Sequence, residues 1–120
     1  MKIFIIAEAG VNHNNKLQNA FKLIDKAKKV GASAVKFQVF KTENYIQKDA
    51  PLAKYQKKNS KFSNQFELIK KLELSEKSLE KIINYCKKKK IQFLASPFDL
   101  WGVDYLKKKK SLLSKFPQGK

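Results

Sequence analysis

The chain opens with Ile3-Phe4-Ile5-Ile6, four large apolar residues in a row, and passes at once into Ala7-Glu8-Ala9-Gly10-Val11-Asn12-His13-Asn14-Asn15. Apolar residues without alternation mark a strand covered on both faces, as in parallel sheets flanked by helices, so residues 3–8 are predicted as a first strand. From about Lys16 the apolar period becomes helical, with Leu17, Ala20, Phe21, Ile24 and Ala27 on one stripe and Gly31 as the stop. Residues 34–40 read as a second strand, whose period of two puts Lys36 and Gln38 on one face and Val35, Phe37 and Val39 on the other.

Residues 41–64 then form a long polar stretch containing Pro51 and many Lys and Asn residues. A connection of that length inside a compact domain is usually functional or disordered. A short helix is expected over residues 65–72. Ser75 is placed to cap a further helix whose Leu79, Ile82, Ile83 and Cys86 form one stripe, and Lys87 to Lys90 put cations at its C-terminal end. Residues 91–95 read as a third strand, closed by Ser96-Pro97-Phe98, and Asp99 can cap a last helix through about Leu106. The order βαβαβα predicts an α/β fold with a parallel sheet and right-handed crossovers. No internal repeat of fixed period interrupts it.

Composition narrows the picture in three places. At 120 residues with 42% hydrophobic residues the chain is one domain's worth of globular sequence, and it buries a core only if all its elements pack together. The formal net charge of +17 points toward a polyanion such as nucleic acid. Yet every one of the 27 basic residues is Lys and none is Arg, whereas base-reading proteins rely on the bidentate fork of Arg, so solvated basic faces are the preferred reading over a binding stripe. A small Lys-rich protein that binds nucleic acid or another polyanion stays as the second hypothesis. The single Cys86 excludes an internal disulfide and fits a reducing compartment; on the apolar face of its helix it reads as a buried thiol. The apolar run at the N-terminus is too short for a signal peptide core or a membrane span, so a cytoplasmic protein is expected.

The candidate chemistry lies where strands end. In a parallel sheet Glu8, Lys36 and Ser96 emerge toward the same rim, where α/β proteins collect ligands and catalytic groups. A Lys in mid-strand is costly to bury and persists with a partner or an anionic ligand, so Lys36 reads equally as a structural partner of Glu8 or as a holder of a substrate anion. Gln38 presents an amide on the same face, which suits either a ligand or a satisfied interior. Ser96 before Pro97 can bind an oxyanion or close a turn. His13 lacks a second ligand at metal spacing and is expected to be a hydrogen-bonded structural histidine, with Asn12 beside it and Asn14-Asn15 as the turn into the helix.

Five ordered blocks carry a resemblance: Ile6-Ala7-Glu8-Ala9-Gly10-Val11-Asn12-His13-Asn14, Val35-Lys36-Phe37-Gln38, Tyr55-Gln56-Lys57-Lys58-Asn59, Leu72-Glu73-Leu74-Ser75 and Phe93-Leu94-Ala95-Ser96-Pro97-Phe98-Asp99. Together they are similar to the sialic acid synthase family, whose members make N-acetylneuraminate, legionaminate or pseudaminate. The resemblance implies a TIM barrel, a transferase reaction that condenses phosphoenolpyruvate with an open-chain N-acetylated aldose (N-acetylmannosamine or a 6-deoxy diacetamido sugar) and releases phosphate, a divalent metal (Mn or Mg), and a homodimer. It further implies that Lys36 and Gln38 contact phosphoenolpyruvate, that Ser96 stands near the phosphate, and that Glu8 and Asn59 hold the sugar, with Asn12 and His13 lining the same rim.

The same resemblance sets expectations about what is missing. A TIM barrel needs eight βα units in about 250 residues, and this chain supplies three and the start of a fourth strand, so residues 1–106 are expected to form a truncated barrel portion that is inactive alone. The family's metal-binding histidines and its C-terminal antifreeze-like domain lie downstream of the matched blocks. Residues 107–120 depart from the family pattern. Reading Ser114 to Lys120 as TCA AAA TTC CCT CAG GGG AAA and starting one nucleotide earlier yields the family-like Phe-Lys-Ile-Pro-Ser-Gly-Glu. A single-nucleotide frameshift in the Lys107 to Lys110 tract is therefore expected, with Lys115 matching a family strand lysine across the shift.

Overall fold

The computed structural model describes residues 3–44 and 65–109. Three strands, β1 (Ile6–Gly10), β2 (Ala34–Val39) and β3 (Gln92–Pro97), form one parallel sheet in the order β1-β2-β3. Helix α1 (Leu17–Lys29) crosses from β1 to β2, and α3 (Glu76–Lys89) leads into β3. Between β2 and α3 lie a short 3-10 helix (Thr42–Asn44) and α2 (Gln65–Lys70), and α4 (Leu100–Lys108) follows β3.

The local signals for these elements act as expected. Ser75 Oγ accepts from the Ser78 backbone N–H at 3.1 Å and starts α3, and Asp99 Oδ1 accepts from Gly102 N–H at 2.7 Å and starts α4. Gly31, at φ +86°, takes the left-handed conformation just beyond α1 that costs an L side chain energy. Lys90, also left-handed, closes α3, and its carbonyl accepts from Lys28 Nζ at 3.2 Å. Helix α4 runs to Lys108, past the expected boundary at residue 106.

The core lies between the sheet and its helices. Ala20, Ile24 and Ala27 of α1 and Leu79, Ile82, Ile83 and Cys86 of α3 pack on Val35, Phe37, Val39 and Phe93. The rings of Phe37 and Phe93, on neighbouring strands, stack at 5.9 Å. Burial pushes the Cys86 thiol up to about 12, so it stays protonated and unreactive at neutral pH.

The first strand departs from expectation. It spans Ile6–Gly10 rather than residues 3–8, and its leading apolar residues are not covered: Ile3 is 79% and Ile5 52% exposed. Backbone pairing does reach back one residue, since the Ile5 carbonyl accepts from Ser33 N–H and Ala34 N–H at 2.7 and 3.2 Å. The reason for the exposure is position: β1 is the edge of the sheet, and only its β2 side is paired among the described residues.

Candidate functional site

Strand alternation gives the sheet two unlike faces. Val35, Phe37 and Val39 of β2 point toward the helices and are buried, while Lys36 and Gln38 lie on the opposite, partly open face, as their spacing predicts. The register aligns that open face across the strands. Glu8 stands opposite Lys36, Lys36 opposite Leu94, and Gln38 opposite Ser96.

Glu8 and Lys36 meet as an ion pair, with Lys36 Nζ 3.1 Å from Glu8 Oε2. Their side chains are 53% and 34% exposed, so the pair is solvated and holds little fold stability, roughly 0–1 kcal/mol. Lys36 is thus not a buried charge. Past Glu8 the pairing shifts at a bulge, so that Gly10 rather than Ala9 faces Phe37. Gly10 has φ +55°, and a Cβ there would lie 3.7 Å from Gln38 Nε2 and 4.0 Å from Glu8 Oε1. The bulge thus brings a side-chain-free backbone against both polar heads.

The turn after β1 is held by backbone bonds from Asn12 N–H to the Ala9 carbonyl (3.0 Å), Asn14 N–H to Val11 (3.1 Å) and Lys16 N–H to His13 (3.0 Å). Asn14 and Asn15 are left-handed at φ 53° and 56°, the conformation Asn tolerates best among residues with side chains. His13 is fully buried, its Nδ1 accepts from Asn15 N–H at 2.8 Å, and its ring lies 6.0 Å from Phe37. Burial holds the imidazole below its ordinary value, with the Gly10 backbone offsetting this in part. His13 therefore lies buried beneath the rim and is held toward its neutral form, while Asn12 is exposed on it.

Two carboxylates that the spacing does not single out as site-forming organise the exit of β2. Glu73, buried, accepts at Oε1 from Thr42 N–H (2.8 Å), Thr42 Oγ1–H (2.9 Å) and Lys70 Nζ (3.2 Å). Asp99 caps α4 with one oxygen and with the other accepts from Lys41 N–H (2.8 Å) and Asn44 Nδ2 (3.2 Å). Lys70 also reaches Glu43 Oε1 at 2.6 Å, which lowers the Glu43 carboxyl and raises the Lys70 amine. For Glu73 the only sequence signal is its place in one of the five blocks, and Asp99 carries in addition its position as a helix cap.

The structure therefore gathers Glu8, Lys36, Gln38 and Ser96 on one face, with Asn12 on the adjoining rim and His13 behind it. Asn59, the block 55–59, Lys115 and the tail from residue 110 lie outside the described residues. Among the described residues no three His, Cys, Asp or Glu side chains converge to hold a metal ion. No described helix is long and apolar enough to cross a membrane.

The chain is 45% identical over 119 residues to the N,N'-diacetyllegionaminic acid synthase of Campylobacter jejuni, covering 98% of this chain and 36% of that protein. It is also 45% identical over 107 residues to the synthase of the same name from Legionella pneumophila, covering 88% of this chain and 30% of that one. Its backbone superposes on the N-acetylneuraminic acid synthetase of Leptospira borgpetersenii, solved with citrate, with a TM-score of 0.71 and 32% identity over 90% of this chain and 33% of that one. The chain thus spans about a third of the length of the proteins it matches. The family model described as the NeuB family matches residues 23–120, from the middle of α1 onward, and with most of its length inside that match the chain belongs to the NeuB family.

Proposed function

We propose that the open face of the sheet is the phosphoenolpyruvate-facing part of a nonulosonic acid synthase centre, and that β1, β2 and β3 are the first three strands of an eight-stranded barrel. The observation that carries this reading is the register: Glu8 beside Lys36, and Gln38 beside Ser96, on one face at the C-terminal ends of three parallel strands. The names of the matched synthases support it.

In the reaction, the methylene carbon of phosphoenolpyruvate bonds to the aldehyde carbon of an N-acetylated sugar. The aldehyde oxygen takes up a proton, and phosphate leaves as water enters. Phosphoenolpyruvate is strongly anionic, and a fixed cation with amide and hydroxyl donors is what holds it: Lys36, Gln38 and Ser96 supply these types. Glu8, 3.1 Å from Lys36, stands where a carboxylate can hold a sugar hydroxyl or manage the proton of the forming alkoxide. Asn59 joins Glu8 on the sugar and Asn12 closes the rim.

Because the chain spans a third of its relatives, it holds part of the centre and binds phosphoenolpyruvate without turning it over. Calorimetric titration of the purified chain with phosphoenolpyruvate tests the site. Binding that is lost in Lys36→Met supports it, and identical titrations for the two proteins overturn it. Sugar-dependent phosphate release by these 120 residues overturns the claim that they are catalytically incomplete. Equal, steeply salt-dependent binding of phosphoenolpyruvate and nucleic acid favours the polyanion reading instead.

A further inference from the structure

Two lysine runs that lie far apart in the sequence meet at one end of the molecule. Lys26, Lys28 and Lys29 stand in the last turn of α1, Lys87, Lys88 and Lys89 in the last turn of α3, and Lys90 caps it. Both helices run back against the strands, so these ends flank the starts of β2 and β3, away from the rim where Glu8, Lys36, Gln38 and Ser96 stand. Lys28 Nζ donates to the Lys90 carbonyl at 3.2 Å across 62 residues, so the two helices finish at one level. Asp25 is the only acid in the last two turns of either helix, and it is already shared by Lys89 Nζ at 3.5 Å and the Tyr85 hydroxyl at 2.7 Å. Lys26, Lys28, Lys29, Lys87, Lys88 and Lys90 are exposed and form no ion pair among the described residues. A cation or two at each helix end offsets the dipole, whose reach is a single turn, and seven lysines stand here.

We propose that this basic end is a contact surface for a bilayer containing anionic lipids, on which the protein stands with its open sheet rim toward the water. Three observations favour a plane of headgroups over a nucleic acid. The cations are all Lys, point charges that suit a diffuse layer of phosphates, and the chain has no Arg, whose fork reads bases. Tyr85, the aromatic residue at this end, is stacked on Phe21 at 4.2 Å and lies under Lys89 Nζ at 5.4 Å, so it offers no platform to the bases of a single strand. Two blunt helix ends at one level make a broad face, whereas duplexes are read by an element that enters a groove. Clusters of about four to eight lysines are of the size that holds to acidic headgroups. The contact is independent of the reaction proposed above, because it uses none of the residues on the open face.

The test is co-sedimentation of the purified chain with vesicles of phosphatidylcholine alone and of phosphatidylcholine mixed equally with phosphatidylglycerol. Binding to the mixed vesicles alone is expected, weakening steeply as salt shortens the Debye length. Lys87→Glu with Lys88→Glu is expected to weaken it about thirtyfold or more, the loss of two lysines' attraction to an acidic surface. Lys77→Glu with Lys81→Glu makes the same change in net charge toward the start of α3 and is expected to weaken it less than about threefold, since charges beyond a Debye length are screened. Acids at a helix C-terminus oppose the dipole, so if the first pair lowers the melting temperature, Lys87→Gln with Lys88→Gln reads the same surface. Equal loss in the two Glu pairs assigns binding to net charge rather than to this end and overturns the proposal. So do absence of binding, equal binding to the neutral vesicles, and a tighter hold on a DNA duplex, dependent on Lys87 and Lys88, than on the mixed vesicles.

Discussion

The two faces of one three-stranded sheet behave as different materials. On the helix side Val35, Phe37, Val39 and Phe93 are buried against α1 and α3, with the buried His13 ring 6.0 Å from Phe37. On the other side Glu8, Lys36, Gln38 and Ser96 stand at least partly open to solvent, with Lys36 and Glu8 paired. Neighbouring residues of the same strand thus serve separate ends: one set supplies the cohesion, and the other is free to carry charge because it contributes so little to that cohesion.

This contrast can be broken first on the closed face. Phe93→Ala removes a ring stacked on Phe37 in a site with no solvent access and is expected to cost about 3–5 kcal/mol, enough to unfold a small domain, read by urea or thermal denaturation. If the loss is under about 1 kcal/mol, the helix-side core is not what holds the sheet together.

A smaller effect is expected at the rim. Glu73→Ala leaves the Thr42 backbone N–H and hydroxyl without their acceptor in a buried setting, at a cost of about 1–3 kcal/mol. Glu73→Gln keeps one acceptor oxygen and is expected to retain part of that stability, which separates the hydrogen bonds from the charge.

His13 adds a pH dependence. Because burial lowers its folded value below the ordinary 6.5, the unfolded chain takes up the proton first on acidification. Its contribution is therefore complete above about pH 6.5 and declines as the pH falls from there toward the depressed folded value. Melting curves from pH 7.5 to 5 are expected to show this slope in the parent chain and a shallower one in His13→Gln.

The smallest effect on folding belongs to the open face. Lys36→Met is expected to change stability by no more than about 1 kcal/mol, since its ion pair with Glu8 is solvated, while abolishing phosphoenolpyruvate binding. A large stability loss from that substitution would mean the Glu8–Lys36 pair is structural and the two faces are not separable.

Much of this was legible in the residues. The stripe Leu79, Ile82, Ile83 and Cys86 is buried as its spacing requires, and the alternation in β2 separates Lys36 and Gln38 from the core. Ser75 and Asp99 cap the helices they precede, because an N-cap is a local bond needing only a few neighbouring residues. The apolar run Ile3 to Ile6 misled: hydrophobicity states that a residue is suited to burial, and whether anything covers it depends on elements elsewhere. The second role of Asp99, reaching Lys41 and Asn44, was likewise invisible, since those partners are 58 and 55 residues away.

By itself the sequence determined the elements, their caps, the inward and outward faces of each strand, and the residue types able to meet an anion. Those follow from periodicity and local hydrogen bonding, which act over a few residues. Only the tertiary structure decided which of those residues meet. The parallel register set Glu8 against Lys36 and Gln38 against Ser96, the bulge set Gly10 under Gln38, and packing sent Glu73 to Thr42. Register and long-range partners come from closing loops around a shared core, a property of the whole chain that no single segment contains.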